Sequence, residues 1–386
     1  MNNITNTKAL LTSTLLLTLI GCGGSSSSTN NNKVKQGQFK DANVVGLEYS
    51  SKSSSGITGI NGSYTCNDGE LVTFKLGAIG LGSVPCGTLT TPIELISDGS
   101  IENQSVINMV KFLTMIDEDG ESSNGMNISK ETRALAQNWS SIDFSSSTFD
   151  EDENVVAIIN ELNAQGKTTS HILPNTNSAK EHLSSTLMCA YSGAYEGKFT
   201  GDDKGRFGAL ISATDGTMII VGYSETFNSY FRGKGNKGFT LNTVRNIKGT
   251  TTEGTLFNGN LTSVNLLSGN WTNNSDKGTF SGQRIGSAAN AKYRFVGNYE
   301  GDITGLFSFD IDTNNKITGL TYNIADDEKY SIKGVLEGDK IKATTNEGSI
   351  ITATFDKATN SISDTKWSNS SFGVSGTFTG SGCKLN

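Results

Sequence analysis

Gly278-Thr279-Phe280-Ser281-Gly282 and Gly376-Thr377-Phe378-Thr379-Gly380 are one pentapeptide element occurring twice, and each follows a tryptophan, Trp271 or Trp367. The two series also open alike, on Ala194-Tyr195-Glu196-Gly197 and Asn298-Tyr299-Glu300-Gly301. Three landmarks in the same order identify an internal duplication, with copies at 191–286 and 294–384. Between them lie short apolar alternations, among them Gly208–Ile211, Met218–Val221, Phe307–Ile311 and Ile350–Phe355. Turns such as Thr214-Asp215-Gly216 and Thr313-Asn314-Asn315 interrupt them. Period-two alternation marks strands with one buried face, so each copy predicts an antiparallel meander of roughly six to eight strands. A meander has to cover its edges, which predicts a β-barrel or a face-to-face β-sandwich for the duplicated region 191–386.

Upstream the pattern changes twice. From Gln38 to about residue 100, strands are predicted at Val44–Tyr49, Gly59–Tyr64, Glu70–Leu76 and Ala78–Gly82, separated by Gly and Asn-Asp-Gly turns. This reads as a small N-terminal β-domain. From 101 to 190 the apolar spacing becomes helical: Val106, Met109, Val110, Leu113 and Met115 fall on one face. Lys130–Trp139, Val155–Leu162 and Ala179–Met188 repeat the behaviour. Four short helices thus link the two β-regions. His171 and His182 both lie here, without companions at metal-ligand spacing, and read as solvated linker residues. The expected class is mainly β, with a short helical linker between the small domain and the duplication.

The first residues carry a targeting signal. Lys8 precedes an apolar or hydroxylic run, Ala9–Ile20, that is too short to span a bilayer and suits a signal-peptide core. It ends in Leu19-Ile20-Gly21-Cys22, which resembles the bacterial lipobox. The resemblance implies a signal peptide at 1–21, lipidation of Cys22 with acyl chains such as palmitate, and a mature chain beginning there. Residues 22–37 then form a flexible tether, since Gly23–Asn32 is Gly, Ser, Thr and Asn only. By the sorting pattern of enteric lipoproteins, Gly23 after the lipidated cysteine favours the outer membrane. Export implies an oxidising compartment. Cys66, Cys86, Cys189 and Cys383 then permit three pairings. Their placement favours Cys66 with Cys86 inside one β-domain, and Cys189 with Cys383 bracketing the duplication.

Composition limits the function classes. Hydrophobic residues make up 34% of the chain, too few for a helical membrane protein, and 45 Gly against 3 Pro fits a turn-rich β-protein. The net charge of −7, with Lys and Arg scattered singly, argues against a nucleic-acid partner. Asp117, Asp119 and Glu121, with Asn124 following, resemble the first positions of an EF-hand-type loop and predict a weak Ca²⁺ site. Ser122 stands where the turn glycine belongs and Ile128 where the bidentate Glu belongs, so a solvated acidic turn suits the same residues.

The order Gly46-Leu47-x-Tyr49, Val72-x-Phe74-x-Leu76-Gly77, Thr91-Pro92-x-x-Leu95 and Phe112-Leu113 is similar to a domain of bacterial surface lipoproteins and adhesin-like exported proteins. The junction Cys189-Ala190-Tyr191-Ser192-Gly193-Ala194-Tyr195 resembles the second half of the same group. The resemblance implies architecture and location without a reaction. The chain is therefore expected to be a non-enzymatic envelope lipoprotein with a ligand-binding, adhesive or structural role. The alternative is an exported glycosidase-like hydrolase drawing paired carboxylates from Glu196, Asp202, Asp203, Glu300 and Asp302.

Overall fold

The computed structural model describes residues 33–385 except 167–169, 215, 236–245, 264–265, 289 and 324–327. The signal segment, Cys22, the polar run after it and the Asp215 turn lie outside the described residues.

The N-terminal part contains nine short strands: β1 (Val34–Phe39), β2 (Val44–Val45), β3 (Glu48–Ser50), β4 (Ser55–Ile57), β5 (Ser63–Asn67), β6 (Leu71–Leu76), β7 (Ile79–Pro85), β8 (Leu89–Thr90) and β9 (Met126–Asn127). Its helices are α1 (Pro92–Leu95), α2 (Gln104–Met115), α3 (Lys130–Ala136), α4 (Glu153–Asn163) and α5 (Thr176–Tyr191). The strands form sheets of order β5-β1-β8 and β4-β3-β6-β7, with β2 beside β9. β1 begins at Val34, inside the stretch that the sequence assigned to the tether. Val34 is exposed and Lys35-Gln36-Gly37-Gln38 is polar, so what makes this segment a strand is backbone pairing with β5, from Val34↔Asn67 to Gln38↔Ser63.

The helices are not a linker. Phe112 of α2 and Val155, Ile158 and Leu162 of α4 share one core with Phe39, Val72, Phe74 and Leu76 of the sheets. Burying these apolar faces against each other makes an α+β layer structure, while the other face of α2, through Val106, Ile107 and Val110, packs with Ala179, Leu183 and Leu187 of α5 in a second core shared with the duplicated region. The Cys66–Cys86 disulfide lies within the layer structure.

The duplication folds as two closed barrels of eight antiparallel strands, each in sequence order. The first contains β10 (Gly193–Gly201), β11 (Gly205–Ile211), β12 (Met218–Ser224), β13 (Ser229–Gly235), β14 (Asn246–Thr251), β15 (Leu256–Ser263), β16 (Leu266–Asn273) and β17 (Asp276–Ile285). The second contains β18 (Ala291–Gly301), β19 (Gly305–Asp312), β20 (Lys316–Asn323), β21 (Glu328–Glu337), β22 (Lys340–Thr345), β23 (Ile350–Asp356), β24 (Ser361–Asn369) and β25 (Val374–Lys384). Pairing of β10 with β17, and of β18 with β25, closes the two walls and leaves no sheet edge open.

The repeated Gly-Thr-Phe element sits in those closing strands for a steric reason. A Cβ on Gly278 would stand 2.4 Å from Trp271 Nε1, and one on Gly376 2.6 Å from Trp367 Nε1. Each indole lies on its glycine and donates across the wall, Trp271 to Thr200 O at 3.2 Å and Trp367 to Glu300 O at 3.1 Å. The barrels meet wall to wall through Ala194, Leu210 and Val221 of the first and Val296, Leu306 and Leu320 of the second. Cys189 at the end of α5 is bonded to Cys383 in β25, which joins the start of the first barrel to the finish of the second.

Candidate functional site

The two barrels differ in what fills them. Gly222 and Phe231 are register partners in β12 and β13, and a Cβ on Gly222 would lie 2.2 Å from Phe231 Cζ. The Phe231 ring therefore rests on the bare glycine. It packs between Phe199, 5.5 Å away between centroids, and Phe257, 6.3 Å away. The equivalent partners in the second barrel are Thr321 and Tyr330. Ile351 also stands where the first barrel has Phe257, each being the register partner of its tryptophan, so the smaller side chain leaves space.

That space is a cavity of about 290 Å³ opening at the end of the second barrel. Phe307, Phe309, Ile332, Ile351 and Phe378 make its walls, and Tyr299 and Trp367 pack edge to face at 5.7 Å. Phe372 lines the mouth and is 68% exposed. It sits on the loop between β24 and β25, which is longer than its counterpart: Trp367 pairs with Gly376, where Trp271 pairs with Gly278 across a tighter turn.

Two carboxylates belong to the rim, Glu328 and Glu347. Tyr330 donates its hydroxyl to Glu328 Oε2. That bond, burial and the nearby Glu347 charge together push the phenol pKa up, so Tyr330 remains a proton donor. Glu347 is held by its turn. Ser349 Oγ donates to Glu347 Oε1 at 2.9 Å, Thr345 N–H to Ser349 O at 2.9 Å, and Asn369 Nδ2 to Glu347 O at 3.3 Å. No Lys, Arg or His is among the described residues lining the cavity. Aromatic faces and carboxylates without a basic group attract a cation, and the apolar walls suit the body that carries it.

The acids named from the sequence are placed elsewhere. Asp202 Oδ2 accepts Lys277 N–H at 3.0 Å, and Asp302 Oδ2 accepts Ser375 N–H at 2.8 Å, the same turn contact in each barrel. Asp203 accepts from Ser224 Oγ at 2.8 Å, Glu196 pairs with Lys329, and Glu300 accepts from Asn298 Nδ2 at 2.8 Å. None of the five lines the second-barrel cavity.

In the acidic loop, Asp119 Oδ1 accepts Glu121 N–H at 2.9 Å and Oδ2 accepts Asn124 Nδ2 at 3.0 Å. Asp117 turns into the core, where burial pushes its pKa up to about 6, and its Oδ1 accepts Asn127 N–H at 2.8 Å. Glu121 is exposed. Among the described residues no three His, Cys, Asp or Glu side chains are grouped so as to hold a metal ion.

The histidines are not solvated, because the packed helices cover them. His171 is buried, with Nδ1 2.8 Å from Met115 O. His182 lies between Ser122, whose Oγ is 3.3 Å from Nδ1, and the fully buried Asp41, whose Oδ1 is 3.2 Å from Nε2. The Asp41 contact is close but not aligned as a hydrogen bond. Burial opposes charge on His182, yet Asp41 outweighs it and the pKa is raised. A nucleophilic serine needs a neutral imidazole held in one tautomer by its acid. The misaligned Asp41 does not hold the imidazole in one tautomer.

Comparison with protein-family models and with curated proteins finds no match to this chain.

Proposed function

We propose that this chain is a lipid-anchored protein of the bacterial envelope whose second barrel holds a small organic cation with an apolar body. The observation that carries the binding role is the cavity itself: aromatic walls, Glu328 and Glu347 at the rim, and no basic group among the described lining residues. Butyltrimethylammonium is a suitable probe, with its uncharged tert-butyl analogue and butyl sulfate as controls. Calorimetric titration of the full chain is expected to show binding of the cation alone. Glu347→Gln should weaken it about tenfold, the effect of losing one charge partner. The triple change Thr321→Gly, Tyr330→Phe and Ile351→Phe recreates the filled pattern of the first barrel and should abolish binding while leaving the fold intact. Equal affinity for cation and neutral analogue, or binding that survives the refilled cavity, would sink the reading.

The anchor rests on the lipobox at Leu19–Cys22 and is supported by the two disulfides, which fit an exported protein. The outer membrane is the proposed location, and no nucleic-acid partner is proposed. Cys22→Ser is expected to move the protein from the membrane fraction to the soluble fraction, since acyl chains supply the affinity that a polar body lacks. Unchanged partition of that variant on fractionation, or a mature Cys22 free of lipid by mass spectrometry, would rule the anchor out.

A further inference from the structure

We infer that the junction of the N-terminal domain with the two barrels is an anion site, suited to an acidic saccharide. A second pocket of about 620 Å³ lies there, within the roughly 300–1,000 Å³ typical of small-ligand sites. Three cations from three parts of the chain line it: Lys40 after β1, Arg284 in β17 and Arg294 in β18. No described lining residue is a carboxylate.

The cations are only partly compensated. Arg294 pairs with Asp310, Nε to Oδ1 at 2.7 Å and Nη2 to Oδ2 at 3.0 Å. Lys40 and Arg284 have carbonyl and amide oxygens instead. Lys40 Nζ donates to Leu385 O at 2.5 Å and to Asn43 Oδ1. Arg284 Nη1 donates to Ala190 O at 2.6 Å. The Arg284 Nε–H is buried without a partner. Burial, and after it repulsion from the Arg294 and Arg284 guanidinium groups, brings the Lys40 pKa down to about 7. An anion entering this pocket would relieve that repulsion and meet the Arg284 guanidinium, whose Nε–H has no partner, a group suited to carboxylate or phosphate.

The rest of the lining favours a polyol over a bare ion. Gln38, Asn61 and Asn290 present amides, which donate to and accept from hydroxyl groups, on the same surface as the cations. Charge and amide lining together select a sugar carrying a carboxylate. This site lies apart from the second-barrel cavity and stands or falls independently of it.

The test is calorimetric titration of the full chain with glucuronate, glucose and inorganic phosphate. Glucuronate should bind at millimolar concentration or below, and glucose should not. Lys40→Met and Arg284→Gln should each weaken glucuronate about tenfold, as expected for one charge-assisted contact. Asn290 is exposed, so Asn290→Asp keeps the fold, adds a repelling carboxylate to the pocket and should weaken binding comparably. No heat from glucuronate, binding of phosphate alone, equal binding of glucose, or affinity that Asn290→Asp leaves unchanged would each overturn the assignment.

Discussion

Asp310→Asn is expected to lower the stability of the second barrel by about 3–5 kcal/mol, read as the shift of its unfolding midpoint in urea. Asp310 is fully buried and Arg294 is 3% exposed. The carboxylate meets the guanidinium at two points and also accepts Ala288 N–H at 2.8 Å. Removing its charge leaves Arg294 buried beside Arg284 and Lys40, with Ser192 O at 3.1 Å, Cys189 O and Ser287 as its remaining hydrogen-bond partners among the described residues. The cost is therefore mostly that of stranding a charge. Replacing both members, Arg294→Met with Asp310→Leu, should recover most of the loss, because it removes the stranded group itself. A loss under about 1 kcal/mol for Asp310→Asn, the range of solvated ion pairs, would mean that water reaches the pair.

The second large effect is expected from the paired change Cys189→Ser with Cys383→Ser. The chain-entropy model assigns about 5 kcal/mol to a crosslink spanning 194 residues, against about 3 kcal/mol for Cys66–Cys86, which spans 20. Changing both cysteines of a pair avoids a lone thiol. The barrels keep their own closing ladders, so strand content should persist while the melting temperature falls. The comparison is internal: the Cys189–Cys383 variant should melt below the Cys66–Cys86 variant. Equal losses, or the reverse order, would show that loop size does not govern either bond.

How much of this was legible in the sequence depends on how local each cause is. The duplication could be read because a glycine beneath an indole is a local demand, met twice by Trp271 with Gly278 and by Trp367 with Gly376. Alternation plus the need to hide edges led only to meanders of roughly six to eight strands, closed as a barrel or paired as a sandwich; the eight strands and the closure of each copy on itself come from the structure. The shared core of the N-terminal domain was not legible, since the apolar face of α2 looks the same whether a sheet or another helix covers it. Nor was β1, whose polar residues become a strand through pairing with β5 and β8. The cavity was hidden for a sharper reason. It rests on differences between the copies, Thr321 against Gly222 and Ile351 against Phe257 among them, and none of these residues carries chemistry that draws attention in a sequence. His182 was misread because Asp41 and Ser122 reach it only through the tertiary fold.

The Cys189–Cys383 bond also sets a mechanical property. Tension applied between Lys33 and Leu385 enters through the N-terminal domain and reaches Cys189, where the crosslink passes it directly to Cys383. The intervening chain, about 680 Å if fully drawn out, lies outside the load path. Both barrels hang from a covalent ring, so a pull that strips open the N-terminal sheets would leave the second-barrel cavity intact until a reductant cuts the ring.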